Sequence, residues 1–305
     1  MTIKHNNKNI FVFSDTHGMH RDVIVPEEID IVICAGDAVE DDLKGDEYDD
    51  FIDWFSSLSA KWKIFIPGNH ELSFELDKSK DIEKAMKENG ISPKWVQVGN
   101  ETTNGMLWSV KTNEQGWEIK DENGNTTITE SMGHVTRNPK QYAGFFAAGY
   151  DAVKEIFPDA IVLVHLDNGF DEELYNWNLD ILKNNGAKFD MIGMSLYPYW
   201  AESFHGKNAE ETIGGCITNI KKVSAKYGCD VMIVETGMLC ADEQGKLANA
   251  SVLEEGYKQL ARIIKEAKEN TNGKCKGVFY WEPECTPSQY KLGAFTEDGR
   301  PTRIM

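Results

Sequence analysis

The sequence has no apolar run long enough to span a bilayer, and its first residues, "MTIKHNNKNIFVFSD", lack an apolar signal-peptide core. For the chain as written the expectation is a cytoplasmic protein with no membrane partner. Basic residues are scarce: 32 Lys and Arg stand against 50 Asp and Glu, a net charge of −18. A field of that sign repels polyphosphate and argues against nucleic acid as a partner, whereas a neutral polysaccharide is compatible with it. The six cysteines (Cys34, Cys216, Cys229, Cys240, Cys275, Cys285) form no CxxC pair or zinc-like spacing, so they read as scattered buried thiols. One alternative stays open, because Cys240 and Cys285 both lie just past strand-like segments and neighbouring strands would let those loops join in a disulfide. Internal repeats and low-complexity linkers are also missing.

What is present is an alternation of strands and helices. Strand-like segments are "NIFVFSD", "DIVICAGD", "KIFIPGN", "WVQVGNE", "AIVLVHLDN", "FDMIGMSLYP", "DVMIVETG" and "GVFYWEP". Amphipathic stretches at Tyr48 to Leu58, Ser79 to Asn89, Lys140 to Ile156, Glu172 to Asn184, Glu210 to Lys226 and Ser251 to Asn270 would cover the sheet. Eight parallel strand-helix units predict an α/β fold, a composite or incomplete (βα)8 TIM-like barrel, with two packed partial sheets as the alternative. Two features disturb the series. The polar stretch Lys111 to Ser131 reads as a long loop or small hairpin, and "DGRPTRIM" stands where an eighth helix would begin.

A parallel strand that ends in a carboxylate presents it at the rim where barrels hold their ligands. Glu101 ends the fourth strand and Glu235 the seventh. Glycoside hydrolysis needs two such groups, one protonated beside the leaving oxygen and one ionised across the sugar. For either Glu alone, a solvated or salt-bridged rim residue is the commoner reading. The stretches "WVQVGNETTNGMLW", "VLVHLDNG", "DMIGMSLYPYW", "VMIVETG" and "GVFYWEPE", five motifs in order, resemble the glycoside hydrolases of family 53, the endo-β-1,4-galactanases.

That resemblance, over about residues 76–305, implies a retaining glycosidase on β-1,4-galactan that needs no cofactor, with Glu101 as acid/base and Glu235 as nucleophile. It further implies that Asn100 binds the sugar 2-hydroxyl, that Tyr197 steadies the nucleophile, that Trp281 offers the sugar an aromatic face, and that His165, Asp167 and Asn168 line the cleft floor. It also implies secretion or a periplasmic location, in tension with the bare N-terminus. Taken singly, His165 reads as an ordinary rim histidine, and Trp281, Trp200 and Trp108 as core aromatics.

The first quarter carries different chemistry. "SDTHGMHRD", "CAGDAVEDD" and "PGNHELSFE" each follow an apolar strand and supply Asp15, His17, Asp37, Asn69 and His70, ligands suited to divalent Mn, Fe or Zn. These three motifs, over about residues 9–75, resemble a calcineurin-like metallophosphoesterase of small bacterial type. In that family Asp15 and His17 would hold one metal, Asp37 would bridge, Asn69 would hold a second and His70 would assist the phosphate. A terminal Gly-His-x-His turn is missing; "MGHVTRN" offers Gly133 and His134 without the second histidine. The plain alternative is that these residues only cap strands.

Two domains are therefore expected, a metallophosphoesterase-like βαβαβ segment over 1–77 and a galactanase-like partial barrel over 78–305 that supplies strands four to eight. The family's own first three strands, with the Arg and the aromatic and His residues they carry, are replaced. Three functions follow in order: a galactan hydrolase, a metal-dependent phosphoesterase, and an inactive sugar-binding or structural chimera.

Overall fold

A computed structural model describes residues 2–5, 8–36, 38–39, 46–65, 86–88, 90, 92–110, 119–120 and 128–305. The chain divides into two compact units, Met1–Val96 with Asp151–Ile161, and Gln97–Tyr150 with Val162–Met305. The expected boundary at residues 77 and 78, and most of the helix expected over Ser79 to Asn89, lie outside the described residues.

The first unit is built on a four-stranded sheet in chain order: β1 (Thr2–His5), β2 (Lys8–Phe13), β3 (Ile31–Cys34) and β4 (Trp62–Phe65). β1 folds back antiparallel on β2, while β2, β3 and β4 run parallel in unbroken register, Ile10 beside Ile31 and Ile31 beside Trp62. Helix α1 (Asp46–Ser57) places Phe51 and Phe55 four residues apart on one face, both fully buried and stacked at 5.4 Å. Truncating either ring would cost roughly 3–5 kcal/mol.

The second unit carries the larger core. Its strands are β5 (Trp95–Val98), the pair β6 (Gly105–Val110) and β7 (Ile128–His134), then β8 (Ile161–Leu166), β9 (Met191–Leu196), β10 (Asp230–Thr236) and β11 (Cys275–Val278). Five of them form one sheet in the order β5-β8-β9-β10-β11, and β6 and β7 form a separate antiparallel ribbon. β9 is buried along its whole length and β8 over all but its first residue, the pattern of parallel strands covered on both faces.

Helices α2 (Pro139–Ile156), α3 (Glu172–Asn184), α4 (Pro198–His205), α5 (Ala209–Tyr227) and α6 (Ala250–Glu269) accompany these strands. Their ends follow from local chemistry. Asp171 accepts from Leu174 N at the start of α3, and Asn208 and Glu211 form a reciprocal capping box on α5, which stops at Gly228 in the left-handed region. Each such cap contributes about 1 kcal/mol.

The expected strand-helix alternation is present, and all eight predicted strands occur among the described elements. In place of one closed eight-stranded sheet, the eight predicted strands divide between two sheets, three in one and five in the other, so no barrel closes among the described residues. The stretch Lys111 to Ser131 follows β6 and runs into β7, with residues 111–118 and 121–127 outside the described residues, and α4 is a helix the sequence reading did not separate from its strand. The Cys240–Cys285 disulfide does not form. Cys240 is a free buried thiol with Sγ 4.0 Å from Phe295 O.

Candidate active site

The turn after β5 is strained by design of its sequence. Gly99 takes φ +73°, and a Cβ there would stand 2.6 Å from Thr102 Cγ2. Only glycine fits so close an approach at that backbone angle. Glu101 itself sits in the left-handed region, φ 43° and ψ 49°, and caps a single 3-10 turn over Thr102–Asn104. The cost of such a non-glycine conformation, about 1–3 kcal/mol, is met by its surroundings. Buried Tyr142 of α2 donates to Thr102 O at 2.7 Å, Asn178 of α3 donates to Thr103 O at 2.7 Å, and Thr103 donates to Asp167 Oδ1 at 2.6 Å.

Glu235 is set by a different device. The pairing of β10 with β9 runs Ile233 to Met194 and then Glu235 to Ser195, so the register shifts by one residue just before the carboxylate. A bulge at that point re-aims the side chain that follows it. Glu235 is only 7% exposed, and Tyr197, at the end of β9, donates to its Oε2 at 3.0 Å.

Between the two carboxylates lies His165, 0% exposed at the end of β8. Its Nε2 is 2.8 Å from Ser195 Oγ and its Nδ1 3.0 Å from Asn100 Oδ1. Ser195 in turn donates to Glu101 Oε1 at 2.5 Å. Burial drives the His165 pKa down to about 3, so the imidazole is neutral and carries one N–H. One ligand-type atom from each of Glu101, His165 and Glu235 lies within 4.8 Å of the others. Both ring nitrogens of His165 already face protein partners, which suits a hydrogen-bonded set better than a metal centre.

The electrostatics couple the two acids. Desolvation, the neighbouring Glu101 charge and then Glu282 push Glu235 up to about 8 against the Tyr197 hydrogen bond. Desolvation and then Asp167 raise Glu101, and the Ser195 hydroxyl opposes them. Although Glu101 is open to the cleft, the protein around its carboxyl displaces enough water to dominate. Two close carboxyls of this kind resist double ionisation and titrate as a pair.

Around them is a cleft of about 580 Å³. Asn100, Glu101, Asp167, Asn168, Tyr197, Glu235 and Trp281 all line it, with His165 buried beneath, so the residues singled out from the last three quarters of the sequence come together. Ser195, Trp200, Phe204 and Tyr290 line it too. Ser195 was not singled out beforehand. A serine inside an apolar strand, "MIGMSLYP", is the signal that could have found it. Of the five predicted metal ligands, Asp15 and His17 follow β2 in the other unit, at φ 52° and 41°, while Asp37, Asn69 and His70 lie outside the described residues. Among the described residues, Glu101, His165 and Glu235 are the group that brings three ligand-type side chains together.

The model of glycosyl hydrolase family 53 matches residues 70–300. The chain belongs to that family. Its relatives include an uncharacterized protein in the bgaB 5' region of Niallia circulans, 28% identical over 222 residues, 68% of this chain and 54% of that one. Another is the endo-beta-1,4-galactanase of Bacillus subtilis, 28% identical over 71% of this chain and 46% of its own length. The chain thus spans about half the length of the curated relatives it matches. In fold, it is similar to a solved structure of a fungal beta-1,4-galactanase, with TM-score 0.61 and 19% identity over 90% of this chain and 85% of that one. The five motifs all lie within the match, which begins inside "PGNHELSFE" and leaves "SDTHGMHRD" and "CAGDAVEDD" outside it. Among the described residues no helix is long and apolar enough to cross a membrane.

Proposed function

We propose that this chain is a retaining endo-β-1,4-galactanase, with Glu235 as nucleophile and Glu101 as acid/base. The observation that carries the reading is the approach of the two carboxyl groups to within 4.8 Å, close to the separation of about 5 Å that direct attack requires and too short for an interposed water. The ionised Glu235 attacks the anomeric carbon as the glycosidic C–O bond breaks, and Glu101 passes its proton to the leaving oxygen. Water then displaces the sugar from Glu235, with Glu101 taking the water's proton.

The hydrogen-bonded set suits both halves of that cycle. With Glu101 protonated, its proton faces the leaving oxygen and Ser195 stays on His165 Nε2, while Glu101 N donates to His165 Nδ1 at 3.4 Å. With Glu101 ionised, the Ser195 hydroxyl donates to the carboxylate, the arrangement found here. Tyr197 stabilises the charge on Glu235, Asn100 reaches the 2-hydroxyl, Trp281 stacks on the sugar, and Asp167 and Asn168 bind hydroxyls at the floor. Relatives named as galactanases support galactan as the polysaccharide substrate. The test is reducing-end release from β-1,4-galactan by the protein and by Glu235→Gln. Release by the parent alone sustains the reading, and equal release by both overturns it.

A second reading attaches to the first quarter, which we infer to be a metallophosphoesterase-like segment. Asp15 N donates to Gly36 O at 3.0 Å, and Thr16 Oγ1 donates to Ala38 O at 2.9 Å, so the Asp-x-His loop lies against both neighbours of Asp37. Manganese-stimulated hydrolysis of a nitrophenyl phosphate ester, lost in Asp37→Ala, would establish it; no stimulation rejects it.

A further inference from the structure

The turn that holds Glu101 is fastened to His165 at two points. Thr102 Oγ1 donates to His165 O at 3.1 Å, and the backbone N–H of Glu101 points at His165 Nδ1 from 3.4 Å. Three groups stand near that ring nitrogen: this N–H, the Asn100 amide at 3.0 Å, and Glu235 Oε1 at 3.8 Å, beyond hydrogen-bond range. A side-chain amide can present either end, and the Gln97 amide that meets Asn100 at 3.1 Å can turn with it. A peptide N–H can only donate. Its fixed polarity sets the rest: Nδ1 carries the lone pair, the amide nitrogen of Asn100 faces it, and the one proton of the neutral imidazole sits on Nε2.

From there the donors run one way round a closed circuit. His165 Nε2–H donates to Ser195 Oγ at 2.8 Å, and Ser195 donates in turn to Glu101 Oε1 at 2.5 Å. The circuit begins on the N–H of Glu101 and ends on its own carboxyl. His165 is fully buried and Ser195 is 2% exposed, so water does not compete for either link. A carboxylic acid can hold its proton on either oxygen, and only a proton aimed at the leaving oxygen is useful. An Oε1 that already accepts from Ser195 is closed to it.

We propose that Ser195 and His165 are positioning residues for the acid: His165, held as the Nε2–H tautomer, directs the Ser195 hydroxyl onto Glu101 Oε1 and leaves the transferable proton to Oε2. This rests on Glu101 being the acid/base. The experiment compares β-1,4-galactotetraose, whose leaving sugar needs a proton, with a dinitrophenyl β-galactobioside, whose leaving group departs without one. Ser195→Ala lowers kcat/KM on the tetraose about tenfold, the worth of one hydrogen bond to a charged group, and changes it by less than about twofold on the aryl substrate. The alkaline limb of kcat/KM on the tetraose moves to higher pH, because the hydroxyl that favours the Glu101 carboxylate is gone. The other groups that face Glu101 are the same in both proteins: Asp167, Glu235, the neutral His165, and Tyr175 and Tyr197, which burial keeps protonated. An unchanged tetraose rate, an equal fall on both substrates, or an unmoved alkaline limb overturns the proposal. The tautomer is read without turnover from a long-range proton-nitrogen NMR correlation of the parent, with the His165 signal identified through His165→Gln. A proton on Nε2 supports the circuit, and one on Nδ1 overturns it. Should the parent hydrolyse neither substrate, the galactanase reading fails on its own, and that spectrum judges the circuit.

Discussion

Both units end parallel strands in polar residues held in left-handed backbone. In the first, Asp15 and His17 follow β2; in the second, Glu101 follows β5 and Asn168 follows β8. The local chemistry is alike, but the outcome differs among the described residues. Glu101 joins Ser195, His165 and Asn100 in one continuous set that reaches to within 4.8 Å of Glu235. In the other unit the buried histidine, His20, meets Asp50, a carboxylate more than half exposed on α1. Burial lowers the His20 pKa while Asp50 opposes the fall, whereas burial alone drives His165. Strained strand ends are thus a shared scaffold property. Convergence of several of them on one point is what makes chemistry, and it depends on which strands are neighbours.

The sharpest way to break this comparison is to remove the point of convergence. Glu235→Gln is expected to lower galactan hydrolysis by roughly 10⁴-fold or more, since no other group supplies the nucleophile. Retention of a tenth of the parent rate would place the chemistry elsewhere. A smaller loss is expected when only the geometry is disturbed. Gly99→Ala puts a methyl into Thr102 at a backbone angle alanine avoids, which shifts Glu101 without removing it. The expected fall in kcat is about 10²-fold, the effect of a displacement near 1 Å. An unaltered kcat would show that the turn is not what positions Glu101.

A third test reads the coupling of the acids through stability. Glu235 is pushed up to about 8 from an ordinary value of 4.5, so the folded state holds its proton more tightly than the unfolded chain. Stability is therefore fullest at low pH with respect to this group and declines as pH rises from about 4.5 through about 8. Glu235→Gln removes that decline. Its Tm should match the parent within about 2 °C at pH 5 and exceed it by several degrees at pH 8.5, for a difference of roughly 3 kcal/mol. Parallel Tm curves across that range would show that the carboxyl is not desolvated.

Much of this was legible in sequence because parallel strands buried on both faces leave continuous apolar runs with polar residues at their ends. That is how Glu101 and Glu235 were found, and the motif order marked their neighbours. Ser195 was not, because a small hydroxyl within an apolar strand carries no pattern; its meaning comes from His165, thirty residues earlier. Alternation left a composite barrel and two partial sheets equally open, since it specifies strand direction and covering helices but not where a sheet ends. Phe204 escaped for the opposite reason, being one aromatic on a short helix that the strand motif "SLYPYW" concealed.

The smallest effect is the one that separates the two units most cleanly. Asp15 is an exposed residue in left-handed backbone, where asparagine is also tolerated, so Asp15→Asn removes a charge without disturbing the turn. Stability should move by less than about 0.5 kcal/mol. Galactan hydrolysis should stay within about twofold of the parent, because the residue contributes nothing to the transition state of glycosyl transfer. The assay is the same reducing-end release used for Glu235→Gln, run on both variants side by side. A tenfold loss in Asp15→Asn would mean that the first strand ends take part in the sugar chemistry after all, and the two sets of strand ends could no longer be treated as separate.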